Sequence, residues 1–175
     1  MFEENTKQVN QILSRLFIRL SPAILALAAL SFAGVFEFGT TYCVILIVTG
    51  FFTAFTPSLL IRHLSPDVLK HYMITTVALF IGILATNNKI GVNITYLLAP
   101  LFSCLYFDQR FVLHSSAFSY VIMVAALYIN SASKLEVTLQ GRDRFAMFVA
   151  YTLGYTIEYV VVVALMIFLV RRARL

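Results

Sequence analysis

The sequence predicts an all-α fold, a polytopic membrane protein with six transmembrane helices and both termini in the cytoplasm. Three observations predict it. First, 61% of the 175 residues are hydrophobic and only 12% are charged, whereas roughly a quarter of a soluble domain is charged. Second, six apolar runs fill most of the length, leaving no room for a separate soluble domain of about 100 residues. Third, the thirteen Lys and Arg, against eight Asp and Glu, collect on alternate loops, as cytoplasmic loops do. The net charge of +5 is thus a topology signal, and nucleic acid is not an expected partner. Cys43 and Cys104 fall inside apolar runs and predict free thiols, with neither a disulfide framework nor a metal site.

The chain opens on a mixed-charge stretch without a small-residue cleavage signature, so the first membrane helix is expected to serve as the targeting signal. Residues 1–16 form a cytoplasmic segment in which Val9, Ile12, Leu13 and Leu16 recur at helical spacing among polar residues, giving an amphipathic helix or a plain extension of the first span. The first span covers 17–36, with Arg19 snorkelling near its start and Pro22 placed in its first turns. Ala23, Ala26, Ala29 and Ala33 give it a small-residue stripe suited to close helix contact. The second span covers 41–61, with Pro57 near its cytoplasmic end, and stops at Arg62-His63. Ser65-Pro66-Asp67 opens a short helix or the next span. The third span, 72–86, is short and closes at the polar turn Asn87-Asn88-Lys89-Ile90-Gly91. The fourth, 92–107, is also short and holds Pro100 in its interior. Asp108-Gln109-Arg110 makes a tight turn into the fifth span, 111–129, whose first half is polar through His114, Ser115, Ser116, Ser119 and Tyr120. A polar loop, 130–144, leads to the last run, 147–170, and 171–175 is a basic cytoplasmic end. Lys7, Arg15, Arg19, Arg62, Lys70, Arg110, Arg171, Arg172 and Arg174 fall on one side; Lys89, Lys134, Arg142 and Arg144 fall on the other.

The last span carries the candidate site. Glu158 lies about a dozen residues before Arg171, close to the bilayer midplane at 1.5 Å per residue, and an ionised acid costs several kcal/mol there unless it is paired or wetted. Tyr151, Gly154, Tyr155, Glu158 and Val162 recur three to four residues apart and share a face, which the apolar setting places inside the bundle. A carboxyl among phenols can make structural hydrogen bonds, hold a proton, or bind a cation or an amine-bearing small molecule. His114, with Asp108 and Arg110, is a secondary candidate for an anionic group, against the plainer reading of an interfacial cluster. His63 and His71 have no third ligand at metal spacing. Tyr42, Tyr72, Tyr96, Tyr106, Tyr120 and Tyr128 fall near span ends and read as an aromatic belt. With no nucleotide fingerprint, nucleophile elbow or metal helix in the sequence, neither catalysis nor a cofactor is expected.

Six spans, Asn-Ile-Thr-Tyr-Leu-Leu-Ala-Pro-Leu-Phe-Ser-Cys-Leu-Tyr-Phe at 93–107, and Tyr-Thr-Ile-Glu-Tyr before a basic end together resemble the N-terminal membrane sensor modules of bacterial signalling proteins. In those proteins the module precedes a diguanylate cyclase, histidine kinase or phosphodiesterase domain. The resemblance spans nearly the whole chain and implies sensing without catalysis. It also implies a homodimer in the bacterial cytoplasmic membrane and transmission through the last helix to an output domain joined after Arg174. Similar length and the Ala29/Ala33 pair also resemble the six-helix substrate-binding subunits of vitamin transporters, although the loops lack their polar, Gly-rich character. A scaffold protein, with no ligand and no dependence on Glu158, is a third expectation.

Overall fold

The computed structural model describes residues 2–35, 38–87, 95–137 and 143–173. Among them the regular elements are all helical: α1 (Phe2–Phe32), α2 (Thr40–Leu60), α3 (Pro66–Ala85), a 3-10 turn (Thr95–Leu97), α4 (Leu98–Cys104), α5 (Gln109–Val137) and α6 (Arg144–Ala173). Among the described residues five helices are long and apolar enough to cross a membrane, α1, α2, α3, α5 and α6. Within the fourth predicted span, 92–107, the described residues form the 3-10 turn and the seven-residue α4, and α4 at 1.5 Å per residue is about 10 Å long. Pro100 is the third residue of α4, where a missing N–H has no intrahelical acceptor to serve, so it helps to open a helix and does not bend a long one. The turn at 88–91, the loop residues 138–142, and Arg174 lie outside the described residues.

The chain forms two compact units, Met1–Phe80 and Ile81–Leu175. In the first, α1 is one unbroken helix of 31 residues. Pro22 lies in its interior, not its first turns, and removes the N–H that would have met the Ile18 carbonyl. The Ser21 hydroxyl donates to that carbonyl at 2.8 Å instead, which is how a proline is accommodated in a membrane helix. Two contacts place α1 antiparallel to α2: Gly50 lies beneath Ile24, where a Cβ would come within 2.6 Å of Ile24 Cδ1, and the Cys43 thiol donates to Ser31 Oγ at 3.3 Å. The buried face of the N-terminal stretch is Thr6, Val9, Asn10, Leu13, Ser14 and Phe17, with Ile12 60% exposed. The face is thus rotated from the apolar one the sequence predicts. Asn10 is buried because its amide donates to the Pro66 carbonyl at 2.9 Å, satisfying a polar group that would otherwise be costly inside.

Ser65 and Pro66 start α3 six residues before the predicted third span. Pro66 takes the first helical position, and Ser65 Oγ accepts the Val68 N–H at 3.5 Å, a combination preferred at helix starts. In the second unit Gly82 abuts Ile122 and the Asn130 amide donates to the Ala85 carbonyl at 3.2 Å, so the last turn of α3 packs on α5. Phe107 takes a left-handed backbone (φ 51°) and ends the α4 segment. Asp108 then caps α5, its Oδ1 accepting the N–H groups of Arg110 and Phe111 at 3.1 and 3.3 Å.

Candidate functional site

The second unit is organised by an antiparallel pairing of α5 and α6. At one end the Arg144 guanidinium sits 4.8 Å over the Tyr128 ring and donates to Ser131 Oγ and to the Tyr128 carbonyl, both at 3.3 Å. Midway, the hydroxyls of Tyr120 and Thr156 are 2.9 Å apart. Further along, the Tyr159 hydroxyl donates to the Ser116 carbonyl at 2.8 Å. At the other end Val112, Met166 and Val170 form a small apolar core. α4 closes against this pair: Ser115 donates to Ser103 Oγ at 2.7 Å, Ser103 donates to the Pro100 carbonyl at 2.6 Å, and the rings of Tyr106 and Phe111 meet edge to face at 5.3 Å. Serine lets the backbones approach closely and still offers a hydrogen bond, which is how helices associate where lipid removes the hydrophobic incentive.

On α6 the inward stripe is Met147, Tyr159, Met166 and Val170, with Thr152, Tyr155, Thr156 and Val162 half-buried along its edge. Glu158, Tyr151 and Gly154 are exposed. The predicted acidic face therefore does not lie inside the fold; it straddles the border of the packed stripe, and the buried group is its neighbour Tyr159. The cause is local. Tyr159 finds an acceptor in the Ser116 carbonyl, and one residue along a helix is about 100° of rotation, which turns Glu158 outward.

Beside this border runs an open groove of about 580 Å³, lined by Leu97 of the 3-10 turn, Met123 of α5, and Tyr155, Ile157, Glu158, Tyr159, Val161 and Val162 of α6. This is the size of a small-molecule site, typically 300–1,000 Å³. Glu158 is the groove's one charged residue, and among the described residues it makes neither a hydrogen bond nor an ion pair. Tyr151 stacks on Tyr155, centroids 6.5 Å apart, and so adjoins the groove without lining it. No known protein family, curated protein or solved structure matches the chain.

His114 is not part of this groove. It is exposed on α5, and its Nδ1 is 2.7 Å from the Arg110 carbonyl, while Asp108 is engaged in capping α5; the anion-site reading of that cluster has no converged geometry. Two members of the predicted aromatic belt are buried: Tyr96 and Tyr106 are 5% and 2% exposed, packed where α4 meets α5 and α6. Among the described residues no group of His, Cys, Asp or Glu is placed to hold a metal. Tyr159, Ser103 and the pairing of Tyr120 with Thr156 were missed as site-forming residues. A signal for part of it is in the sequence, since Val112, Ser115, Ser119, Met123, Ala126 and Asn130 recur at three- to four-residue spacing and all are buried.

Tyr159→Phe removes one interhelical hydrogen bond while keeping the ring. We expect a loss of about 1 kcal/mol, the scale of such bonds in membrane bundles, read as a lower midpoint in SDS-titrated unfolding. An unchanged midpoint would show that the bond contributes nothing.

Proposed function

We propose that the chain is the sensory and signal-transmission domain of a bacterial signalling protein, set in the cytoplasmic membrane as a homodimer with both ends in the cytoplasm. It reads a ligand or a membrane state and passes it through α6 to a cytoplasmic output domain. The observation that carries this reading is the continuity of α6, whose 30 residues form one helix from Arg144 to Ala173. At 1.5 Å per residue the helix is about 45 Å long, so a displacement at the Glu158 groove is delivered to Arg171 and Arg172. Only 17% of the most apolar stretch of α6 is buried, against 50% for α3, so α6 is the helix with fewer neighbours to prevent a shift or rotation. A switch requires two states with different affinity for the stimulus, and rotation of α6 about its own axis supplies them.

The test is a set of insertions of one to seven alanines after Ala173, between α6 and a diguanylate cyclase output domain. Transmission by a rigid helix predicts cyclase activity that oscillates with insertion length at a period of about 3.6 residues. Activity independent of insertion length would remove this reading. A transporter subunit is the second reading, favoured by the exposure of Ala29 on α1 and of Ala33 just after it, and it requires copurification with an ATPase partner.

A further inference from the structure

We propose that the Glu158 groove binds a lipophilic organic cation, an ammonium or related centre carried on an apolar body, admitted sideways from the bilayer. The inference rests on the sensory reading, because it names the chemistry of the stimulus. Three observations carry it. The groove is apolar apart from one carboxylate, its walls including Leu97, Met123 and Val162. Two tyrosines, Tyr155 and Tyr159, line it together with that carboxylate, the combination of aromatic and acidic groups that recognises quaternary and protonated amines. Tyr159 cannot neutralise the acid by donating to it, because its proton is already given to the Ser116 carbonyl at 2.8 Å.

Charge selects among occupants. Glu158 lies in the middle of a membrane-crossing helix, where an ionised acid is stable only when paired or wetted, and no basic side chain lines the groove. A neutral lipid tail fills the volume and leaves the acid unpaired, and an anion is repelled. A second copy of the chain brings a second Glu158 to the same surface. A cation with an apolar body satisfies the walls and the acid together. Ile157 and Val161, 68% and 55% exposed, leave the groove open on one side.

The experiment uses the chain in phosphatidylcholine nanodiscs, with radiolabelled tetraphenylphosphonium as the probe and tetraphenylborate as an anion of the same shape. We expect saturable phosphonium binding of about one per chain above empty nanodiscs, and no saturable borate binding. Glu158→Gln should weaken phosphonium binding at least tenfold, and Glu158→Asp should restore part of it. Val161→Trp fills the groove without touching the charge and should also weaken binding, which separates a lost site from a misfolded one when both variants elute and unfold as the parent does. Phosphonium binding no greater than in empty nanodiscs, equal binding of both ions, or an unchanged affinity in Glu158→Gln would each overturn the proposal. A change in oligomeric mass on Glu158→Gln without any phosphonium binding would overturn it in favour of a second copy. Because binding is read without an output domain, its failure is distinguishable from failure of the insertion series.

Discussion

Gly82→Val should destabilise the protein by about 1–3 kcal/mol, the scale of overpacking in a close contact, seen as an earlier SDS-unfolding midpoint and a lower yield of monodisperse protein. A Cβ at position 82 would fall inside van der Waals distance of Ile122 Cγ2. That atom is attached directly to Cβ of a β-branched residue, which in a helix has one strongly preferred rotamer. Ile122 has little freedom to swing aside, so α3 and α5 must move apart. Their separation also stretches the 3.2 Å bond from Asn130 to the Ala85 carbonyl, and Asn130 is buried. The control is Gly154→Ala, where a Cβ meets nothing within 4 Å. There the better helix propensity of alanine should raise stability by up to about 1 kcal/mol. Equal midpoints for the two variants would mean that the α3–α5 approach is not as close as described.

Leu13→Ala should cost about 2–5 kcal/mol, the range for emptying a fully packed leucine site, whereas Ile12→Ala should change stability by no more than about 0.5 kcal/mol. The two residues are adjacent, both aliphatic and both outside the predicted first span, yet Leu13 is 0% exposed and Ile12 60%. Truncating Leu13 removes dispersion contacts that lipid or water cannot restore in a closed site. Truncating Ile12 removes almost none. The measurement is again the unfolding midpoint of each single variant. Equal shifts would show that residues 2–16 are a surface appendage and not part of the packed first unit.

These two variants mark where sequence reasoning is strong and where it stops. The membrane character, the helical class and most helix positions were legible, because long apolar runs and their punctuation are local properties. Ser65-Pro66 and Asp108 act as start signals whatever surrounds them. The form of the fourth span was not legible, because an apolar run of that length is equally compatible with a tilted crossing or with a 3-10 turn and one short helix. Hydropathy does not distinguish them when both are surrounded by protein or lipid. Thr6, Asn10 and Ser14 formed part of a buried face that polarity argued against, since Asn10 finds an acceptor in the carbonyl of the distant Pro66.

The candidate site divides the same way. That a carboxylate sits deep in the last apolar helix with Tyr151 and Tyr155 nearby follows from spacing alone, as does the basic end at Arg171 and Arg172. The sequence determines that these residues share a helix face. It does not determine the direction of that face, because a helix that is apolar all round has no amphipathic moment to orient it. Only the tertiary structure decided that Tyr159 turns inward to the Ser116 carbonyl, that Glu158 is left at the rim of a groove with Leu97 and Met123, and that His114 stands elsewhere. The physical reason is that each of these outcomes depends on hydrogen-bond partners and packing surfaces supplied by α4 and α5, which no pattern within α6 encodes.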